Sequence, residues 1–131
     1  MKNKSARAWA PTALYGAAIF LGSALPGSSP ILWGVEKYVW DKLLHLLEYI
    51  PLGILLLRAL ALTFKGRSLW TLMFVAVALG GLYAVSDEWH QSFVPLRCAS
   101  VHDWMGDVLG VFAGAYAWRV RLVGRLKAGS D

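Results

Sequence analysis

Residues 68–86 read SLWTLMFVAVALGGLYAVS, with no charged side chain between Ser68 and Ser86. A helix needs roughly 20 mostly apolar residues to cross a hydrocarbon core about 30 Å thick, so this run predicts a transmembrane helix. Working outward, Ala8 to Leu25 is a second uncharged apolar run. Two more candidates carry charge: about Leu43 to Phe64, which includes His45, Glu48 and Arg58, and about Trp104 to Val123, which includes Asp107, Arg119 and Arg121. Long basic side chains near a helix end reach back to the headgroups. Intramembrane carboxylates are tolerated where they face the bundle interior or a wet cavity. The two weaker spans therefore predict a polar interior. The expected fold is an all-α membrane protein, a single domain over residues 1–131, with four transmembrane helices at about 8–25, 43–64, 68–86 and 104–123. The composition agrees, with 57% hydrophobic and 16% charged residues in a chain of 131.

The charges sort into two sides. One side collects Lys2, Lys4, Arg7, Arg58, Lys65, Arg67, Arg119, Arg121, Arg125 and Lys127, leaving only Lys37, Lys42 and Arg97 for the other. The second side holds Glu36, Asp41, Glu48, Asp87, Glu88, Asp103 and Asp107. The positive-inside rule then places both termini and the loop around Lys65 in the cytoplasm, with the loops at about 26–41 and 87–103 outside. Tryptophan prefers the membrane interface, and Trp9, Trp70 and Trp118 fall at the expected inner boundary, Trp33, Trp40, Trp89 and Trp104 at the outer. The formal charge of +5 is thus a topological signal, and no nucleic-acid partner is expected. The basic start before the first apolar run also fits a signal peptide, a reading that would leave three spans; the four-span reading is preferred.

The outer ends of the helices carry the polar chemistry. Asp41, His45, Tyr49 and Gly53 are spaced four apart and share a helix face. Asp87, Glu88 and Gln91 close the third helix above Gly80 and Ala84. Asp103 and Asp107 lead into Gly110 and Gly114, and Gly106, Gly110 and Gly114 form a small-residue ladder of the kind that lets helix backbones approach closely in lipid. Pro51 should bend the second helix. Pro95 disfavours helix in the segment before Ser100, whose single basic group, Arg97, is suited to an internal ion pair or to a ligand's phosphate or carboxylate. His45 stands among enough acids for a metal site, but no ligand-spacing motif is present, and a His–carboxylate hydrogen bond is the preferred reading. No metal and no cofactor are expected. The lone Cys98 excludes an internal disulfide framework.

The order Asp41-Lys42-Leu43-Leu44-His45, Tyr49, then Asp87-Glu88-Trp89-His90-Gln91-Ser92-Phe93-Val94-Pro95-Leu96-Arg97, then Ser100, Asp103, Gly110 and Gly114 resembles the VanZ-like family of small bacterial membrane proteins over roughly residues 15 to 118. The family pattern usually has Asn at the position of Asp107 and commonly Gly at that of Leu96. The resemblance implies a multi-pass protein of the bacterial cytoplasmic membrane, in a family whose founding member is associated with resistance to the lipoglycopeptide teicoplanin. It marks Asp41, Lys42, His45, Tyr49, Glu88, Gln91, Arg97 and Asp103 as site residues.

Three functions fit these features. In the first, an outward polar pocket binds a membrane lipid or a lipid-linked cell-wall precursor, with Asp41, Lys42, Tyr49, Gln91 and Arg97 contacting the ligand. In the second, the same site is catalytic on such a substrate, with His45, Glu88 and Asp103 as acid and base and Arg97 as anion binder. No serine or cysteine with a positioned base is evident for nucleophilic chemistry, so catalysis ranks second. In the third, the bundle is a structural subunit that docks a membrane-protein partner or a second copy of itself. A transporter is disfavoured, because the single four-helix unit has no inverted repeat.

Overall fold

The computed structural model describes residues 2–26 and 41–129. It contains α1 (Lys2–Ser23), α2 (Asp41–Thr63), α3 (Leu69–Gln91) and α4 (Val101–Ala128), and no strand among the described residues. Two of these helices are long and apolar enough to cross a membrane: Leu43–Thr63 with a mean hydropathy of 1.7 and Leu69–Gln91 with 1.9. The other two are diluted, α1 by Arg7 and its small residues, α4 by two aspartates within its first two turns and arginines toward its end.

The helix ends differ from the expected spans in an informative way. The third helix continues past Ser86 to Gln91, because nothing in Asp87–Gln91 breaks a helix and Pro95 is the first residue that does. Asp87, Glu88 and Gln91 are therefore held on a rigid element rather than in a loop. The corner that follows places Leu96 at φ 63°, in the left-handed region that costs an L-residue roughly 1–2 kcal/mol. Ser100 is extended, and its carbonyl accepts the backbone N–H groups of Asp103 and Trp104 at 3.1 Å each, opening α4 at Val101.

Two different kinds of contact assemble the helices. The first is a direct approach of backbones between α2 and α4. A Cβ built on Gly114 would lie 1.9 Å from the Ile50 carbonyl oxygen, one on Gly53 would lie 2.1 Å from that of Val111, and one on Gly110 would lie 2.4 Å from that of Leu46. Only a residue without a side chain fits at these three positions. Small residues of this kind let two helix backbones come into van der Waals contact over a wide area. The buried side chains Tyr49, Leu57, Met73, Val111 and Ala115 fill the interior around it.

The second kind of contact docks α1, which is fastened by polar bonds spread along its length. Trp9 Nε1 donates to Thr63 Oγ1 (3.0 Å), Thr12 Oγ1 to the Leu55 carbonyl (3.2 Å), and Tyr15 Oη to the Glu48 carbonyl (2.8 Å). Tyr83 Oη on α3 donates to the Gly16 carbonyl (2.6 Å). At the end opposite the acidic cluster, the Arg119 guanidinium stacks 3.7 Å from the centroid of the Trp70 ring, a cation–π contact that holds the last turns of α4 to the start of α3.

Two outcomes follow from these backbones. Gly114→Ala is expected to lower the melting temperature in detergent, corresponding to overpacking of about 1–3 kcal/mol, while Gly124→Ala, which has nothing within 4 Å, leaves it unchanged. Equal melting of the two variants would refute the seam. Leu96→Gly is expected to raise stability by about 1 kcal/mol, since glycine adopts the observed backbone angle without strain, as read from denaturant midpoints.

Candidate functional site

At the end of the bundle where α1 and α3 finish and α2 and α4 begin, two carboxylate centres lie side by side. The first is Asp87, buried and fully provided with donors. Ser23 Oγ of α1 donates to its Oδ1 at 2.6 Å, and Tyr49 Oη of α2 and Gln91 Nε2 of α3 donate to Oδ2 at 3.3 and 3.0 Å. Three helices thus meet on one side chain, and three donors satisfy an acid buried away from water. No basic residue among the described residues donates to it.

The second centre is built from α2, α3 and α4. His45 Nδ1 lies 2.9 Å from Asp107 Oδ1. Because an ionised carboxylate can only accept, Nδ1 of His45 is the donor in this contact. Asp107 is 0% exposed, His45 6% and Glu88 7%. One nitrogen or oxygen of each of His45, Glu88 and Asp107 lies within 4.8 Å of the others. The Ser100 backbone N–H donates to Glu88 Oε2 at 2.7 Å, which ties the start of α4 to the end of α3 and fixes the carboxylate plane. The remaining oxygens, Glu88 Oε1 and Asp107 Oδ2, are buried with no hydrogen-bond partner among the described residues, and so is Oδ1 of Asp103, one turn earlier on α4. The cluster is rich in acceptors and short of donors.

The packing explains why these residues meet. Gly110 sits one turn below Asp107 and Gly106 just before it, so the close approach of α4 to α2 carries Asp107 up to His45. On α3, Gly80 faces Val111 of α4: a Cβ there would lie 2.6 Å from Val111 Cγ2, and Glu88 is two turns further along that face. Beside Glu88, a cleft of about 400 Å³ is lined by Val85, Ala99, Ser100, Val101 and Trp104. A second, almost wholly apolar cleft of about 580 Å³ runs along α1 against Leu52, Leu56, Leu79 and Tyr83.

Set against the sequence reading, the structure unites His45 and Glu88, and it buries Asp103 beside them. Tyr49 and Gln91 are buried too, but they serve Asp87. Arg97 stands apart: its Nε–H donates to the Leu25 carbonyl at 3.1 Å, and the expected pairing with Asp87, Glu88 or Asp103 is not made. The side chains of Asp41 and Lys42 lie outside the described residues, as do Trp33 and Trp40. His102 is exposed, and His90 is half-buried with its ring stacked on Phe20 at 4.1 Å. The residues that sequence reasoning underweighted are Asp87, Asp107 and Ser23. Asp87 with Gln91 at i+4, and Asp107 on the glycine-bearing face of α4, were visible as spacings. Ser23 carries no such signal, since its role depends on how α1 meets α3.

Ser23→Ala removes the shortest of the three bonds to Asp87 and is expected to destabilise the protein by about 1 kcal/mol, the scale of interhelical hydrogen bonds in membranes. Thermal melting of purified Ser23→Ala, Tyr49→Phe and the double variant checks this. Strict additivity of the two single losses would show that the hydroxyls do not share one acceptor.

A family model described as VanZ/LLP1 matches residues 6–123. No curated protein and no solved structure matches the chain.

Proposed function

The chain belongs to the VanZ/LLP1 family, and on that premise we propose that it is a multi-pass protein of the bacterial cytoplasmic membrane whose outward polar pocket binds a lipid or a lipid-linked envelope component. In this reading all four helices span the bilayer with both termini in the cytoplasm. The segregation of basic residues to one end supports that orientation. The basic end anchors, and the acidic end presents the site to the cell-envelope side. A change in susceptibility to teicoplanin-type glycopeptides would follow if the ligand belongs to wall synthesis.

The observation that carries this reading is the cleft beside Glu88. Its walls are Val85, Ala99, Val101 and Trp104, and its polar lining is the Glu88 carboxylate with Ser100. Apolar walls around a few polar groups suit an amphipathic molecule, with the walls taking the apolar part and the polar groups fixing the headgroup. Trp104 is held in place by its Nε1–H, which donates to the Gly81 carbonyl at 3.1 Å. Arg97, half-buried and bonded through Nε to the Leu25 carbonyl, offers its terminal amino groups to an anionic headgroup. The longer apolar cleft beside α1 suits a chain lying along the bundle.

The runner-up is a membrane enzyme acting on a lipid-linked phosphate or glycan. The observation that favours it is the buried set of His45, Glu88 and Asp107, with Asp103 adjacent, since closely spaced titratable groups are the means of proton transfer. A role as a structural subunit ranks third.

Native mass spectrometry of the purified protein is expected to show a co-purified lipid, with occupancy falling about tenfold in Arg97→Ala and in Trp104→Ala, the scale of one lost charge-assisted or packing contact. Unchanged occupancy in both variants would remove the pocket as the lipid site. Turnover of a lipid-linked phosphate by the same preparation would promote the enzymatic reading.

A further inference from the structure

We propose that Glu48 and Arg97 select the headgroup of the bound lipid, and that this headgroup carries both a phosphate and a primary ammonium, as that of phosphatidylethanolamine does. The proposal rests on the lipid-binding reading and names the ligand class within it.

Glu48 stands about two turns into α2 and is exposed, whereas Asp87, Glu88, Asp103 and Asp107 are buried. In a spanning helix, an ionisable side chain turned outward costs free energy unless an opposite charge reaches it. The carboxylate lies over the last turn of α1, where a Cβ built on Gly22 would be 3.9 Å from Glu48 Oε1. The bond from Tyr15 Oη to the Glu48 carbonyl at 2.8 Å holds α1 against α2 at this level.

Arg97 reaches the same turn of α1 from the corner between α3 and α4. Its Nε–H donates to the Leu25 carbonyl at 3.1 Å, and the Leu25 N–H donates to the Gly22 carbonyl at 3.2 Å. The two charges thus flank one turn, close enough for that of Arg97 to act on Glu48. They are not within ion-pair distance of each other. A guanidinium anchored through Nε keeps the edge formed by its two terminal nitrogens for an oxyanion.

A singly charged ligand does not suit this place. A phosphate drawn to Arg97 meets the like charge of Glu48, and an ammonium drawn to Glu48 meets that of Arg97. A headgroup with both charges completes both side chains, its phosphate on the guanidinium and its ammonium on the carboxylate. A primary ammonium also brings three N–H donors, which a quaternary ammonium lacks. The expected preference is therefore phosphatidylethanolamine over both phosphatidylcholine and phosphatidylglycerol.

The test titrates the full chain, delipidated in detergent, with these three lipids carrying identical acyl chains. Native mass spectrometry counts bound lipid for wild type, Glu48→Gln and Arg97→Ala, and circular dichroism reports whether each is folded. Wild type is expected to bind phosphatidylethanolamine about tenfold more tightly than the other two, the scale of one hydrogen bond to a charged group. Glu48→Gln is expected to bind lipid without preference over phosphatidylglycerol, and Arg97→Ala to bind both more weakly. Equal binding of the three headgroups by wild type overturns the proposal and leaves the lipid reading in place, as does a preference that survives in folded Glu48→Gln. Non-additive melting of the lipid-free single and double variants, which would show Glu48 and Arg97 pairing with each other, overturns it too. Binding of none of the three does the same, and the absence of any co-purified lipid would then defeat the lipid reading as well.

Discussion

The contact on which the rest depends is the meeting of the α2 and α4 backbones at Gly53, Gly110 and Gly114. In a soluble protein, helices are pressed together because water expels their apolar faces. Lipid exerts no such pressure, and association falls to close packing and hydrogen bonds. The glycines let carbonyl oxygens of each helix reach the other's backbone, and the distance so set also places His45 beside Asp107. A longer separation would leave room for water between them and dissolve the cluster as a unit. The structural seam and the functional site are in this sense one feature, read at two depths of the same pair of helices.

The helical architecture was legible in the sequence because its signals are local: apolar runs of the right length, glycines at four-residue spacing, and Pro95 shortly after α3 stops, although Pro11 and Pro51 lie inside helices. The polar end was also legible as a region, since His45, Glu88 and Asp103 were marked and are buried there. What could not be read was the pairing within that region. Arg97 was the natural partner for an acid, yet it caps the end of α1 through the Leu25 carbonyl, and Asp87 is satisfied by hydroxyl and amide donors instead. A pairing of side chains on different helices depends on rotation and depth, which a one-dimensional pattern does not carry. Leu96 shows the opposite case. The family resemblance makes glycine the expected residue there, and the backbone angle of φ 63° is one that glycine adopts freely.

The two carboxylate centres divide labour. Asp87 gathers donors from α1, α2 and α3 and acts as a knot, fixing three helix ends relative to one another. The centre formed by His45, Glu88 and Asp107 spends part of its hydrogen-bonding capacity on internal order and, among the described residues, leaves Glu88 Oε1 and Asp107 Oδ2 unmet. Natural proteins place such incomplete satisfaction at functional positions and compensate for it elsewhere, and here the knot and the glycine seam are near enough to supply that compensation.

The polar fastening of α1 bears on how the molecule is made. Thr12, Tyr15 and Ser23 take their partners from α2 and α3, segments that leave the ribosome later, so α1 is made before the groups that complete it. Ser23 has a resource for that interval, because its hydroxyl also lies 3.0 Å from the Phe20 carbonyl of its own helix. It can hold that bond while alone and exchange it for Asp87 once α3 arrives. The first helix is thereby able to keep that hydroxyl satisfied before it becomes a member of the bundle, and the switch of one hydroxyl proton marks the moment of joining.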